Sequence, residues 1–584
     1  MTARRLADNA RLAAGTVRQH LGEDPAVLAL QVSRRLPARL VQPLARRAAR
    51  RGGTAFTAPL GAFASGQQDL ARRQLQAAAE AGASGRRALR LADVAIAAGL
   101  ADEADRLLAN VDPGTSGRRG TAARRRWYDG DMAGAVAALA GGGRRDERQR
   151  QRLASELRVF TGWAPQLPPV PGYRPEPDTV LHLLTNSLPH TGSGYAQRSH
   201  SLLKAQCELG ATVHAVTRTG YPVQVGRLLA RQVDVLDGVV YHRDLPASLP
   251  PGFDQRLQQQ AEGLLQLALE LRPGVLHTTT HFVNGLVVGA VARALGIPWV
   301  YEVRGQLADT WAAARGPGAR QSQRYHLFRA RERDVMAKAD AVATLGEAMK
   351  ADIVGQGIPA DKVLLLPNAV GDSFLAEPAA PPQARRQLGL PEEGTFIGTV
   401  SSLVDYEGLD DLLRAFARLA GGYPELRCLI VGDGVAAPGL RALSAELGIA
   451  GRVLLPGRVP RDQAHLYHQA LDVFVVPRKD LDVTRAVTPL KPVEAMASAR
   501  PVAASDLPAL RELVSTGRTG VLFRAGDPGD QAAALGKLVA DARLREELGT
   551  QARAGILRGR TWAANATALA GLYTGLKADI AGVR

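Results

Sequence analysis

The sequence predicts an α/β fold of two successive halves preceded by an all-helical region, on three observations. From about residue 178 onward, short apolar runs alternate with stretches of helical period, the pattern of strand–helix units in a parallel sheet. Those runs end in polar or glycine-rich turns, as strands do when their carboxyl ends open onto a ligand crevice. Ahead of them, residues 1–165 are rich in Ala, Leu and Arg and nearly free of strand-like runs.

The length, 584 residues, exceeds what one core sustains, so two or three domains are expected. The boundaries read as a basic helical region at 1–165, a linker at 166–177, α/β halves at 178–375 and 376–555, and terminal helices at 556–584. The N-terminal stretch MTARRLADNARLAAG lacks an apolar core, so no secretory signal is expected, and no apolar run is long enough to span a membrane. The two cysteines, Cys207 and Cys428, fall in different halves and predict neither a disulfide framework nor a zinc site.

Of the net charge of +17, residues 1–165 carry 28 Arg, no Lys and 15 acids, so 28 − 15 = +13 sits there. Arg-rich, Ala-rich usage also follows from a G+C-rich genome. In the stretch 27–51, Leu30, Leu36, Leu40, Leu44 and Ala48 recur at roughly helical spacing among seven arginines, with Pro37 and Pro43 interrupting. A basic amphipathic helix of this kind either presents a solvated face or makes peripheral contact with anionic membrane through residues 1–60. Nucleic acid is not the expected partner, because few aromatics interleave with the arginines. Further on, 89–108 and 122–139 each read as a helix hairpin, turning at Gly99 and at Asp129-Gly130-Asp131. Their offset of 31 is close to the tetratricopeptide period of about 34 residues. Six prolines in 162–177 mark the linker.

In the first half, strands are expected at 180–184, 213–217, 275–277, 299–303, 341–343 and 363–366. The first runs into Asn186 and then Thr191-Gly192-Ser193-Gly194 before a helix at 196–209. Glycines there let backbone approach a ligand, although a tight strand-to-helix turn alone explains them equally well. His277, His281, Glu302 and Arg304 all fall at strand ends and are expected on a polar cleft rim. His277 and His281 lack a third ligand, so no metal site is expected.

In the second half, strands are expected at 396–400, 426–431, 453–455, 473–476, 501–504 and 520–523. The stretch 473–505 concentrates the chemistry. An apolar strand ends in Arg478, Lys479, Asp480 and Asp482, and Pro489-Leu490-Lys491-Pro492 opens a helical segment bearing Glu494. Cations at a helix start suit a phosphate, and a carboxylate one turn in suits sugar hydroxyls. Asp480-Leu481-Asp482 has the form of a metal-binding D-x-D, a tripeptide that chance also produces, and an exposed loop is the expectation.

Over residues 178–578 the chain resembles the retaining glycosyltransferases of family 4, with the GT-B fold. The resemblance rests on Gly192 and Gly194, YEVRG at 301–305, LLPNAV at 365–370, YEGLDDLLRAF at 406–416, VGDG at 431–434, PGR at 456–458 and PLKPVEAMA at 489–497. It implies two Rossmann-like domains facing a cleft, nucleotide sugar mainly on the second, acceptor mainly on the first, and last helices crossing back. Glu494 matches the second acid of the family's E-x7-E motif. The first acid falls at Ala486, so Lys491 or Thr488 is expected to take its place. The family's Gly-Arg and Lys-Gly fall at Ser401-Ser402 and Glu407-Gly408, so both usual phosphate cations are missing.

The resemblance therefore implies a donor set of Glu494, Lys491, Gly457, Arg458, Ser402, Gly192, Gly194, Thr488, Pro489 and Leu490. The expected catalytic residues are Lys491, Arg478, Arg458 and His277, and the acceptor side is Asn186, His281, Glu302 and Arg304. No metal or cofactor is implied beyond the nucleotide sugar as co-substrate, with UDP the expected base. The implied activity is retaining, metal-independent sugar transfer to a glycan, lipid-linked or small-molecule acceptor, in the cytoplasm or at the inner membrane face. The competing readings are an inactive scaffold recruited by the basic region and a nucleotide-sugar epimerase.

Overall fold

The computed structural model describes residues 3–23, 30, 38–50 and 56–583. The first lobe is a sheet of β1 (Glu176–Leu184), β2 (Thr212–Thr217), β3 (Val233–Leu236), β4 (Val239–Arg243), β5 (Pro273–Thr279), β6 (Trp299–Val303), β7 (Ala341–Thr344) and β8 (Val363–Leu365). Its order is β3-β4-β2-β1-β5-β6-β7-β8, parallel except for the β3–β4 hairpin. The second lobe is a parallel sheet of β9 (Thr395–Val400), β10 (Leu426–Val431), β11 (Val453–Gly457), β12 (Val473–Val476), β13 (Val502–Ser505) and β14 (Gly520–Phe523), in the order β11-β10-β9-β12-β13-β14. Numbered within the lobe this is 3-2-1-4-5-6, and the order reverses between β9 and β12. The first lobe reverses between β1 and β5. Ligands bind at such reversals, beyond the carboxyl ends of the strands.

The apolar runs are explained by burial on both faces. In β12, Val473 and Val475 join one core cluster while Phe474 and Val476 join the cluster on the opposite face. The β3–β4 hairpin was not anticipated. Its turn is Asp237-Gly238, both at positive φ, and a two-residue Asp-Gly turn between strand-like runs is the available sequence signal.

The helix hairpins form as expected, Gly85–Ala97 with Ala101–Ala109 and Arg118–Asp129 with Met132–Ala137. The helical region is docked on the first lobe through its first helix and its last helices, while the helices between pack on one another. Helix Ala3–Glu23 buries Leu12 beside Val223, Ala230 and Leu245, and Asn9 Nδ2 donates to Leu228 O at 2.8 Å. Helix Arg144–Phe160 feeds Val159 and Phe160 into the lobe core, where Phe160 meets Phe282 edge-on at 5.2 Å. The expected leucine stripe is only partly kept. In helix Ala38–Arg50, Leu44 is 71% exposed, while Ala45 and Ala49 face inward. Leu36 lies outside the described residues, as does the side chain of Leu40.

The proline-rich stretch is a strap rather than a tether. Val170 N donates to Ala294 O at 2.8 Å, Tyr173 Oη donates to Pro273 O at 2.9 Å, and Leu167 and Val170 pack on the lobe core. Beyond the second lobe, helix Trp562–Val583 crosses back to the first. Trp562, Ala566, Leu569 and Tyr573 lie one helical face apart and pack on Val180, Val275 and Val300. Among the described residues no helix is long and apolar enough to cross a membrane.

Candidate functional site

At the β9–β12 reversal two loops are joined tightly. Gly408 is at φ +68°, and a Cβ there would come 1.8 Å from Pro477 O, so only glycine lets the loops meet. Lys479 N donates to Tyr406 O at 3.0 Å. Arg478, expected as a free phosphate cation, donates instead to both carboxylate oxygens of Glu407, at 2.8 and 3.2 Å, and through Nη1 to Val487 O at 3.0 Å. Glu407 stands where the family carries its lysine, so the charges at this wall are exchanged between the loops. Both side chains are largely buried. Glu407→Ala should destabilise the protein by about 3 kcal/mol by leaving Arg478 unpaired. Glu407→Ala with Arg478→Ala should cost clearly less than the sum of the single changes, which thermal melts of the three variants will check.

Arg478 thereby anchors the start of the segment 487–491. Lys491, 41% exposed, donates through Nζ to Glu494 Oε2 at 3.0 Å, and Glu494 is 14% exposed. His468 Nε2 lies 3.4 Å from the same oxygen, its ring fully buried and stacked on Phe474. Burial pushes the Glu494 carboxyl up, but Lys491 and His468 outweigh it and hold it at about 2. Lys491 and Glu494 are thus paired on one helix, both part open, with the carboxylate ionised. His468 was missed, since nothing in its local sequence points to a residue placed by folding.

Most of the other residues expected on the donor side fall at several places in the second lobe. Ser402 and Arg458 are exposed at the ends of β9 and β11, and Gly457 N–C=O pairing continues the sheet, its O accepting from Gly432 N at 2.9 Å. Thr488 is buried, its hydroxyl without a hydrogen-bond partner among the described residues, while its carbonyl accepts from Asn368 Nδ2 of the first lobe at 2.8 Å. Pro489 and Leu490 lead into helix Lys491–Ala497. Ala486 is buried in helix Asp482–Ala486. The D-x-D carboxylates are taken by arginines, Asp480 by Arg485 at 2.5 Å and Asp482 by Arg320. Among the described residues no group of three His, Cys, Asp or Glu could hold a metal ion.

Across the cleft, Gly192 and Gly194 are exposed, and Ser193 caps helix Gly194–Glu208 with its hydroxyl also reaching Asn186 Oδ1 at 3.4 Å. The expected rim is otherwise not a rim. Glu302 is 0% exposed and accepts from Arg198 at 2.6 Å and Arg304 at 2.5 Å. Arg304 also donates to Ser199 Oγ at 2.6 Å. Burial opposes ionisation of Glu302, but Arg304 and Arg198 hold it well below the usual carboxylate range. His277 is equally buried, stacked on His182 and hydrogen-bonded to Tyr573 Oη at 2.6 Å, and burial lowers its pKa. These three residues are buried on partners within the protein rather than exposed on a rim, because strand-end position in sequence does not distinguish a side chain aimed into the core from one aimed out. His281 is partly exposed, with its pKa lowered to about 4 by burial and by Arg324 and Arg218.

Beside β6, Glu332 accepts from Tyr301 Oη at 2.5 Å and Phe282 N at 2.8 Å, and burial pushes its carboxyl up from 4.5 to about 7. A raised carboxyl favours the folded state fully below the unfolded value and loses that contribution as pH rises through the folded one. Between pH 5.5 and 8.5 the protein should lose about 2 kcal/mol here. Glu332→Gln should flatten that pH dependence in thermal melts.

Residues 193–369 match the family described as the glycosyl transferase 4-like domain, and residues 382–555 match glycosyl transferases group 1. A D-inositol 3-phosphate glycosyltransferase of Thermomonospora curvata is 31% identical over 336 residues, covering 54% of this chain and 75% of that protein. Among solved structures, sucrose-phosphate synthase from Thermosynechococcus elongatus superposes with a TM-score of 0.57 at 20% identity, over 69% of this chain and all of the other. HepE from Anabaena in complex with UDP does so at 0.53 and 16%, over 68% and all of the other. Two facing Rossmann-like lobes with a crossing terminal helix define the GT-B class. The chain belongs to the family 4-type glycosyltransferases and is a glycosyltransferase.

Proposed function

We propose that the protein moves a sugar from a UDP-linked donor, with retention at the anomeric carbon and without a metal, to a small anionic acceptor such as a phosphorylated polyol. The observation that carries the donor half is the pairing of Lys491 with the ionised Glu494 carboxylate on the helix between β12 and β13. In this reading Glu494 accepts hydroxyl hydrogen bonds from the nucleotide ribose, and Lys491 turns to the diphosphate, joined by the exposed Arg458. As the bond from the anomeric carbon to the phosphate oxygen breaks, its electron pair goes to the diphosphate, where those cations stabilise the growing charge. The acceptor hydroxyl attacks from the same face and its proton passes to the departing oxygen. The Arg478–Glu407 pair fixes the wall without adding net charge.

The acceptor half rests on charge. His281 is neutral at pH 7, held so by burial first and then by the charges of Arg324, which also pairs with Glu156 at 3.3 Å, and Arg218. The relative from Thermomonospora curvata is named for an acceptor that bears a phosphate. The test is a thermal-shift panel of UDP, GDP and ADP followed by transfer to D-inositol 3-phosphate. A shift confined to UDP supports the donor assignment, and a shift with another base, or none at millimolar nucleotide, overturns it.

A further inference from the structure

The family matches begin at residue 193, so the helical region ahead of it has no assigned role. One of the surfaces on which it docks is the segment that follows β6, residues 304–323, which leaves the carboxyl end of a central strand and so borders the cleft. Three parts of the molecule hold that segment. From its own lobe, Tyr325 Oη donates to Asp309 Oδ1 at 2.8 Å. From the donor lobe, Asp482 pairs with Arg320, and Val487 packs on the cluster containing Ala308 and Ala312. From the helical region, Tyr128 O accepts from Arg315 Nε at 3.2 Å, and the Arg315 guanidinium lies between the rings of Tyr128 and Trp311, at 4.8 and 4.7 Å.

Gly130 closes this contact. It ends helix Arg118–Asp129 at φ +86°, and a Cβ there would come 2.5 Å from Ser322 Oγ and 2.8 Å from Trp311. Its carbonyl accepts from Arg324 N at 2.9 Å. Glycine is thus required twice, for the backbone angle and for the approach.

We propose that the helical region is the outer wall of the acceptor side, with Gly130 and Tyr128 as positioning residues that hold segment 304–323 in place and so set acceptor affinity. A surface segment of this length loses conformational entropy when it closes on a ligand. The helical region supplies that order before the acceptor arrives, the gain known as preorganisation. Because Val487 O also accepts from Arg478, the wall connects to the donor loops. The proposal rests on the acceptor-side reading above.

A matched pair of variants tests it in the full chain. Gly117, at the other end of the same helix, is at φ +94°, and a Cβ there would meet only Leu89 at 3.7 Å. Gly130→Ala and Gly117→Ala therefore introduce similar backbone strain, but only the first pushes on the segment. Hydrogen exchange in 304–323 should quicken at least tenfold in Gly130→Ala and in Arg315→Ala, and not in Gly117→Ala, with 401–408 and 487–494 unchanged in all three. KM for D-inositol 3-phosphate should rise about tenfold in the first two, with kcat and the UDP thermal shift within twofold. Unchanged exchange in the segment overturns the proposal, as does faster exchange with unchanged KM. If the unmodified protein does not use D-inositol 3-phosphate, the acceptor reading falls, and the exchange contrast alone decides whether the helical region holds the segment.

Discussion

Glu494→Ala is expected to lower turnover at least tenfold and to remove the stabilisation that UDP confers, while leaving the unliganded protein folded. The two effects separate because of where the side chain sits. Glu494 is held at about 2 by Lys491 and His468, so it is a carboxylate at every working pH. Removing it frees Lys491, which is 41% exposed and can return to water, and leaves His468 neutral in its buried stack, its pKa lowered by burial. Neither neighbour becomes an uncompensated buried charge, so the intrinsic cost is small. A ligand at 100 times its dissociation constant stabilises by about 2.7 kcal/mol, and that contribution is what the variant should lose. Lys491→Ala should reduce turnover by a similar factor. Full activity in both variants would remove this pair from the site.

Glu302→Ala should have the opposite profile, a large loss of stability with no specific effect on catalysis in whatever fraction stays folded. The carboxylate is fully buried between Arg198 and Arg304, and Arg198 additionally donates to Leu366 O at 2.6 Å and to Asn368 Oδ1 at 3.1 Å. Deleting the acid leaves two guanidinium groups buried with one anion missing, which costs about 3–5 kcal/mol when a buried pair is broken. Arg198 also lies 5.4 Å from the Trp562 ring of the crossing helix, so the damage should reach the joint between the lobes. Thermal melts and soluble yield read this directly. A variant that melts like the parent but transfers no sugar would return Glu302 to the acceptor site.

Much of the fold was legible in the chain itself. Parallel strands buried on both faces must be continuous apolar runs, so β12 and β9 were readable without a neighbour in view. Helix hairpins turn at Gly99 and Gly130 because only glycine accepts those angles cheaply, and the turns stood out for that reason. The β3–β4 hairpin escaped because its strands are half exposed and carry a weaker pattern. The proline-rich stretch read as a linker because composition reports stiffness and not attachment.

At the site, sequence alone determined which residue types are available: Lys491 and Glu494 three apart on one short helix, Glu407 in place of a lysine, Ala486 in place of an acid. Local spacing decides those pairings, since residues three apart on a helix are neighbours whatever the rest of the chain does. Tertiary structure decided everything that depends on partners distant in sequence. It paired Arg478 with Glu407, 71 positions away, and turned an expected phosphate cation into a strut. It buried the side chains of His277 and Glu302, brought His468 to Glu494, and set Gly130 of the helical region against a segment beside the cleft. Charge and side-chain type are properties of the chain, but whether a charge faces a ligand or another charge is set by packing, because burial forces each ionised group to find a partner.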